Sequence, residues 1–308
     1  MVRRLLFIAN AAAGTSDRER RDAALEVLRE EADVRVVETE SVEDLVDALA
    51  ERDGREVVIA GGDGSLNAFT TALCRLGDLG EDPPTVGLLP MGTGNDFART
   101  VELPNDPALA ARVVLDQPAR PVDVLVDDEG MLVANAVHIG VGEEAGRIAA
   151  PWKERLGKAH LGVLGYVVGG IAAGFGQQGR HLEVVVDGET VGDPSRRVLQ
   201  VAVTIGQSVG GGTRIAPDAR PGDGAAEVVI SYAVAPLKRL RYALHLSSGT
   251  HTRLDDVVNV RARETVTVTG VNHQVAANSD GEHLGPARSR TWRIVPDAYR
   301  LHSPEETE

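Results

Sequence analysis

Over the first 120 residues, short continuous apolar runs alternate with runs whose apolar residues fall three and four apart. "RRLLFIAN" (3–10), "VRVVETE" (34–40), "EVVIAGG" (56–62) and "TVGLLPMG" (85–92) predict strands. The unbroken apolar cores of the last two fit strands buried on both faces of a parallel sheet. Between them, "SDRERRDAALEVLREEA" carries Ala24, Val27, Leu28 and Ala32 at helical spacing, with Ser16 as N-cap. "SVEDLVDALAERDG" and "SLNAFTTALCRLG" predict helices closed by Gly54 and Gly77. The order βαβαβαβ predicts a doubly wound α/β domain with a parallel sheet.

Near "PARPVDVLVDDEG" the pattern changes. Strands are predicted at "VDVLVDD", "MLVANAVHIG", "HLEVVVDG", "RVLQVAVTIG", "AAEVVISYAV", "VVNVRA", "ETVTVTG" and "RTWRIVP". Short β-branched runs bounded by Gly, Asp and Pro predict a β-rich sandwich. Helices interrupt it at about Ala149 to Gly174 and at Pro236 to Ser247. The division is an α/β domain over residues 1–122, completed by a C-terminal strand at 291–303, and a β-sandwich domain over 123–290. The segment His160 to Gly176 has no Asp, Glu, Lys or Arg; it reads as a buried helix or as the apolar wall of a greasy site. The tail "SPEETE" reads as disordered.

Composition narrows the function. The chain has 308 residues and is 43% hydrophobic, enough for two cores, but only 3% aromatic, so the cores rest on Val, Leu, Ile and Ala. No apolar stretch reaches the ~20 residues of a membrane helix. "MVRRLLFIANAAAG" faintly mimics a signal peptide, but the glycine loop that follows favours a first strand and a cytoplasmic protein. One cysteine, Cys74, excludes an intrachain disulfide, and the eight histidines form no metal-binding pair. The formal net charge of −14 argues against nucleic acid as a partner. Only three lysines occur, Lys153, Lys158 and Lys238; an acidic, lysine-poor surface fits a salt-rich cytosol.

Two predicted strands end in glycine turns: Gly61-Gly62-Asp63-Gly64-Ser65 and Gly92-Thr93-Gly94-Asn95-Asp96. Ligands of open parallel sheets lie at the C-terminal strand ends, so both turns can face one crevice. Glycines admit a phosphate close to the backbone, and a helix starting near Ser65 offers its positive end. Two aspartates beside a polyphosphate repel it unless a divalent cation lies between them. Asp63 and Asp96 therefore read as ligands, or water-mediated neighbours, of nucleotide-bound Mg²⁺. "GTGNDF" lacks the third glycine of a dinucleotide fingerprint and lies too late in the domain for one.

"GGDGSLN" with "PMGTGNDFAR" resembles the diacylglycerol kinase catalytic-domain family of soluble lipid kinases, which is similar in plan to NAD kinases. The resemblance spans nearly the whole chain. Asn10, Ala11, Ala12, Ala13 and Gly14 resemble the family's opening loop, and Thr39 falls where the family has a nucleotide-contacting threonine. "SVGGGTRIAPDARPGDG" and "NSDGEHL" resemble two later motifs. The resemblance implies phosphorylation of a lipid hydroxyl by ATP with Mg²⁺. It implies phosphate contacts from Gly62, Asp63, Gly64, Ser65, Leu66, Asn67 and Thr93. Asp280 and Glu282 would be the acids near the acceptor, one of them the general base; Asp63 and Asp96 complete the catalytic set. Asp223, with carbonyls near Arg220 and Ala225, would match a structural metal site, and Asp123 a polar network between the domains. On an extended strand Asp280 and Glu282 share a face; on a tight Gly281 turn they do not. The bland reading of the pair is a hairpin with solvated acids.

The chain departs from the family pattern at Ala11, Ser65, Ala68, Ile205, Gly222 and the Ala225–Val228 stretch. These departures bear on the structural metal and the acceptor more than on the nucleotide. The alternatives are an NAD kinase, against which stands the absence of a glutamate after Asn135, and a nucleotide-binding protein without catalysis. The acceptor lipid implies transient contact with a membrane surface; a homodimer is compatible with the sequence.

Overall fold

The computed structural model describes residues 2–10, 15–77, 79, 83–140 and 179–304. The chain divides into two units: Met1–Val124, Pro221–Gly224 and Val295–Glu308 form the first, Leu125–Arg220 and Ala225–Ile294 the second.

Unit 1 runs β1 (Arg3–Asn10), α1 (Thr15–Arg29), β2 (Ala32–Thr39), α2 (Val42–Ala50), β3 (Glu56–Gly61), α3 (Asp63–Leu76), β4 (Thr85–Pro90), α4 (Asp96–Thr100) and α5 (Pro107–Asp116), and β5 (Ala119–Asp127) leads out of it. The strands are parallel in the order β2-β1-β3-β4. α1 packs with α5, and α2 with α3. Leu5, Phe7, Val58 and Leu89 bury one face of the sheet against Ala24 and Leu28 of α1 and Ala111 and Val114 of α5. Ala32, counted into α1 by its spacing, instead pairs with Arg3 and opens β2. Ser41 and Asp44 form a reciprocal capping box on α2. Gly77 closes α3 in the left-handed conformation. α5, not read from the sequence, starts at Asp106, whose carboxylate accepts from Ala108 and Leu109 N–H, with Pro107 in its first turn.

Unit 2 contains β6 (Leu132–Val133), β7 (Ala136–Gly140), β8 (Arg180–Val186), β9 (Glu189–Val191), β10 (Arg197–Val198), β11 (Gln200–Thr204), β12 (Ser208–Val209), β13 (Thr213–Arg214), β14 (Ala226–Ser231), α6 (Pro236–Ser247), β15 (Val257–Ala262), β16 (Thr265–Gly270), β17 (Val275–Ser279) and β18 (Glu282–Ala287). One antiparallel sheet has the order β15-β14-β11-β7-β17-β18. In the other, β16 lies between β8 and the first half of β19 (Ser289–His302). The result is the antiparallel sandwich predicted from the short β-branched runs.

The second half of β19 belongs to unit 1, where Arg300 and Leu301 pair in parallel with Thr85 and Val86 of β4. A polar cluster holds this end. Arg3 pairs with Glu56, and His302 lies 3.2 Å from the Glu56 carboxylate and 2.7 Å from the Gln117 carbonyl. Burial would raise the Glu56 pKa, but the bonds to His302 and Arg3 outweigh it and hold the group at about 2. No helix among the described residues is long and apolar enough to cross a membrane. The predicted helix at 149–174, the apolar segment 160–176 and residues 305–308 of the tail lie outside the described residues.

Candidate active site

In unit 1, β3 stops at Gly61 and α3 starts at Asp63, so Asp63, Gly64 and Ser65 are the first turn of a helix rather than a loop. β4 stops at Pro90, and α4 starts at Asp96. Three contacts join these strand ends. Met91 N donates to Gly61 O at 3.0 Å. Phe97 N donates to Asp63 Oδ1 at 3.0 Å, so Asp63 caps the first turn of α4. Gly62 and Gly92 meet so closely that a Cβ on Gly62 would lie 2.8 Å from the Gly92 Cα. Asn95 closes the second turn on itself: its Oδ1 accepts from Gly92 N at 2.9 Å, and its Nδ2 donates to Gly92 O at 2.8 Å. Its φ of +49° is a left-handed conformation that asparagine tolerates better than most residues.

The glycines of "GGDG" are there for different reasons. A Cβ on Gly61 would fall 2.1 Å from Ser65 Oγ, and one on Gly62 would strike the Gly92 backbone. Gly64 is exposed, its φ is not left-handed, and a Cβ there would meet nothing within 4 Å. Glycine inside a helix is disfavoured by roughly 0.5–1 kcal/mol relative to alanine. Packing therefore does not require glycine at 64.

A cavity of about 290 Å³ opens at the C-terminal ends of β1, β2 and β3, where Asn10, Thr39, Glu40, Gly64, Ser65 and Ala68 line it. Its volume lies just below the ~300–1,000 Å³ of typical small-molecule pockets. Beside it, the N-terminus of α3 has no side-chain cap. An uncapped N-terminus offers N–H groups and partial positive charge to an anion. Asn67 Oδ1 is buried with no hydrogen-bond donor. Leu66 is buried and its N–H bonds to Gly62 O, so it holds the helix start. Thr93 is exposed on the second turn. Ala11, Ala12, Ala13 and Gly14 lie outside the described residues.

The two aspartates of these turns differ. Asp96 is buried and bonded within the protein. Asp63 is half-buried and bonds Phe97 through one oxygen only. That leaves Asp63 Oδ2 as a hard carboxylate donor at the uncapped end of α3. It fits a Mg²⁺ that takes one or two carboxylate oxygens and the substrate's phosphates.

Asp123 is buried, and its carboxylate accepts from Gly224 N at 2.8 Å and Asp297 N at 3.0 Å, while its own N–H donates to Pro221 O at 2.6 Å. It thereby ties residues 221–224 and the start of the last segment into unit 1. Gly222 cannot be an acid here: a Cβ would lie 2.1 Å from Pro121 O. Glu227 is buried and pairs with Arg261 across β14 and β15 at 3.2 Å. The metal ligands implied at this place reduce to the Asp223 carboxylate and carbonyls near Arg220 and Ala225. Among the described residues no cluster of three or more His, Cys, Asp or Glu forms.

In unit 2, Asp280 and Gly281 form the two-residue turn between β17 and β18, with φ of +46° and +97° and Ser279 paired to Glu282. The tight-turn alternative is the one realised. The Asp280 carboxylate accepts from Ala134 N at 2.6 Å, Asn135 N at 3.2 Å and Ala136 N at 2.8 Å, and Asp280 N donates to Ala136 O at 3.0 Å. Glu282 is exposed. The same device occurs a second time, unnoticed in the sequence, at "VDGE" (186–189). Asp187 and Gly188 turn with φ of +49° and +86°. The Asp187 carboxylate accepts from Arg263 N and Glu264 N at 2.8 Å and from Thr265 N at 2.9 Å, and Asp187 N donates to Thr265 O at 2.9 Å. In both turns the aspartate clamps three successive amides and the glutamate begins the next strand.

The profile of the "Diacylglycerol kinase catalytic domain" family matches residues 4–126. That of the "YegS C-terminal NAD kinase beta sandwich-like domain" matches residues 130–303. The chain is 30% identical over 301 residues to the "Probable lipid kinase YegS-like" of Xanthomonas campestris, covering 94% of this chain and 93% of that one. It is 28% identical over 231 residues to the "Diacylglycerol kinase" of Bacillus subtilis, covering 74% and 71%. A solved structure described as a diacylglycerol kinase from Bacillus anthracis shares the fold with a TM-score of 0.74 at 21% identity, covering 98% of this chain and 97% of that one. The joined glycine turns, the returning last strand and the two matched profiles lead to one assignment: the chain belongs to the diacylglycerol kinase catalytic-domain family of lipid kinases, with a YegS-type C-terminal sandwich.

Proposed function

We propose that the protein transfers the γ-phosphoryl group of ATP, with Mg²⁺, to a hydroxyl of a diacylglycerol-like lipid. The observation that carries this reading is Gly64: a helical glycine that packing does not require, beside an uncapped helix end and the cavity at the ends of β1, β2 and β3. The cavity takes the base, and the first turn of α3 takes the phosphates. Mg²⁺, when bound, would neutralise charge between Asp63 and the phosphate oxygens. Asn95 and the Gly62–Gly92 contact keep the two turns fixed, so positioning rather than covalent help supplies the rate.

In the transfer, the bond from the γ-phosphorus to the β,γ-bridging oxygen breaks and a bond to the acceptor oxygen forms. ADP leaves, and the hydroxyl proton passes to a carboxylate. Glu282 is the better candidate for that carboxylate, because Asp280 already clamps three amides as Asp187 does. Asp280 is then a positioning residue. A base of this kind contributes roughly 10²–10⁴-fold.

The test is label transfer from γ-labelled ATP into a total lipid extract, run beside NAD as acceptor, with and without a chelator. Metal-dependent label in a lipid product supports the proposal. Label in NAD, or in no product, overturns it.

A further inference from the structure

We propose that the outer face of α6 docks the protein onto an anionic membrane surface. The inference rests on the lipid-acceptor reading above and names the surface that would reach such an acceptor. α6 buries Arg239, Tyr242, Ala243 and Leu246 against a core that includes Leu199, Val229 and Leu254. Its other side exposes Leu237 (83%), Leu240 (50%) and Leu244 (61%). Spacings of three and four place these leucines in one stripe. The other large hydrophobics exposed among the described residues are Val2, Val36, Leu109, Met131 and Val271, and no two of them share an element.

Charge identifies the occupant. The chain carries a net −14, yet residues 232–254 contain no Asp or Glu and include Lys238, Arg239, Arg241 and Arg253. Arg241 and Arg253 are exposed. Lys238 pairs with Asp256 at 2.7 Å, and Arg196 shares that carboxylate at 3.2 Å. Asp255, exposed, is the other nearby acid in sequence. A leucine stripe flanked by cations is the pattern of a helix that lies in the interface of an anionic bilayer, its leucines among the acyl chains and its cations at the headgroups. A two-fold contact between copies would bring like cations together instead.

The experiment uses the full chain and three readouts: flotation with vesicles of phosphatidylglycerol and phosphatidylcholine in equal parts, flotation with phosphatidylcholine alone, and turnover of a short-chain, water-soluble diacylglycerol. The variants are the triple Leu237→Gln, Leu240→Gln, Leu244→Gln and the single Arg241→Glu. Wild type should bind the anionic vesicles and leave them at high salt. The triple variant should bind roughly tenfold less or weaker still, and Arg241→Glu several-fold less, with turnover of the soluble acceptor unchanged. Leucine-dependent vesicle binding without turnover of any acceptor would uphold the surface while removing the kinase reading. Triple-variant binding within about twofold of wild type would overturn the surface. So would a wild type that ignores vesicles but sediments as a dimer that the triple variant dissociates.

Discussion

Gly62 and Gly92 touch backbone to backbone: a Cβ on either would lie 2.8 Å from the Cα of the other. This contact joins two turns that lie 30 residues apart in sequence, and it separates the glycine that packing requires from Gly64, which packing does not require. Gly62→Ala should lower the melting temperature and ATP affinity together. Gly64→Ala should hold or raise the melting temperature, since alanine favours the helix by up to ~1 kcal/mol. It should nevertheless weaken ATP binding roughly tenfold or more, because on the proposed reading its methyl group would stand where the phosphates approach. Melts and binding isotherms on the two variants check the distinction. Equal behaviour of both would contradict it.

The twin Asp-Gly turns provide an internal control for the acids. Asp187→Ala and Asp280→Ala each free three amides, and each should lose on the order of 2 kcal/mol of stability. Glu282→Gln removes an exposed carboxylate, so the melting temperature should hold while kcat falls roughly 10²-fold or more at unchanged ATP affinity. Full turnover in Glu282→Gln would transfer the base to another group.

Acid should loosen unit 2 in particular. Burial pushes His251 down from 6.5 to about 4; the bond to the Ile215 carbonyl opposes this weakly, and neighbouring His245 adds to it. Burial does the same to His138, which falls to about 4. The unfolded chain binds protons at 6.5 that the folded chain refuses until about 4. Stability is therefore full above about pH 6.5 and falls as pH drops through that window. His251 alone should contribute on the order of 2 kcal/mol of loss at pH 5. Urea midpoints at pH 7.5 and 5 should differ, and His251→Phe should shrink the difference. A pH-independent midpoint would contradict the burial argument.

The parallel sheet was legible because its strands are buried on both faces and so appear as unbroken apolar runs, as in "VVIA" and "VGLLP". The helix at Pro236 to Ser247 was legible from its spacing, and it is α6. β17 and β18 were not, because "VAANS" and "EHLGPA" carry few β-branched residues and owe their pairing to the turn between them. α5 had a usable signal in Asp106-Pro107 followed by alanines and valines at helical spacing. The two turns announced themselves by glycine, but which glycine packing requires depends on the 62–92 contact, which no local pattern encodes. The second Asp-Gly-Glu, at 187–189, was readable in the sequence and would have weakened the case for Asp280 as base.

On the proposed reading Asp63 stands beside the triphosphate and tolerates it only through a divalent cation. Calorimetric titration of ATP into the full chain, with Mg²⁺ and then with a chelator, tests it most directly, alongside Asp63→Asn. Binding should require the metal in the wild type and should weaken in Asp63→Asn with Mg²⁺ present. Equal ATP affinity with and without the metal, or no ATP binding under either condition, would contradict the account.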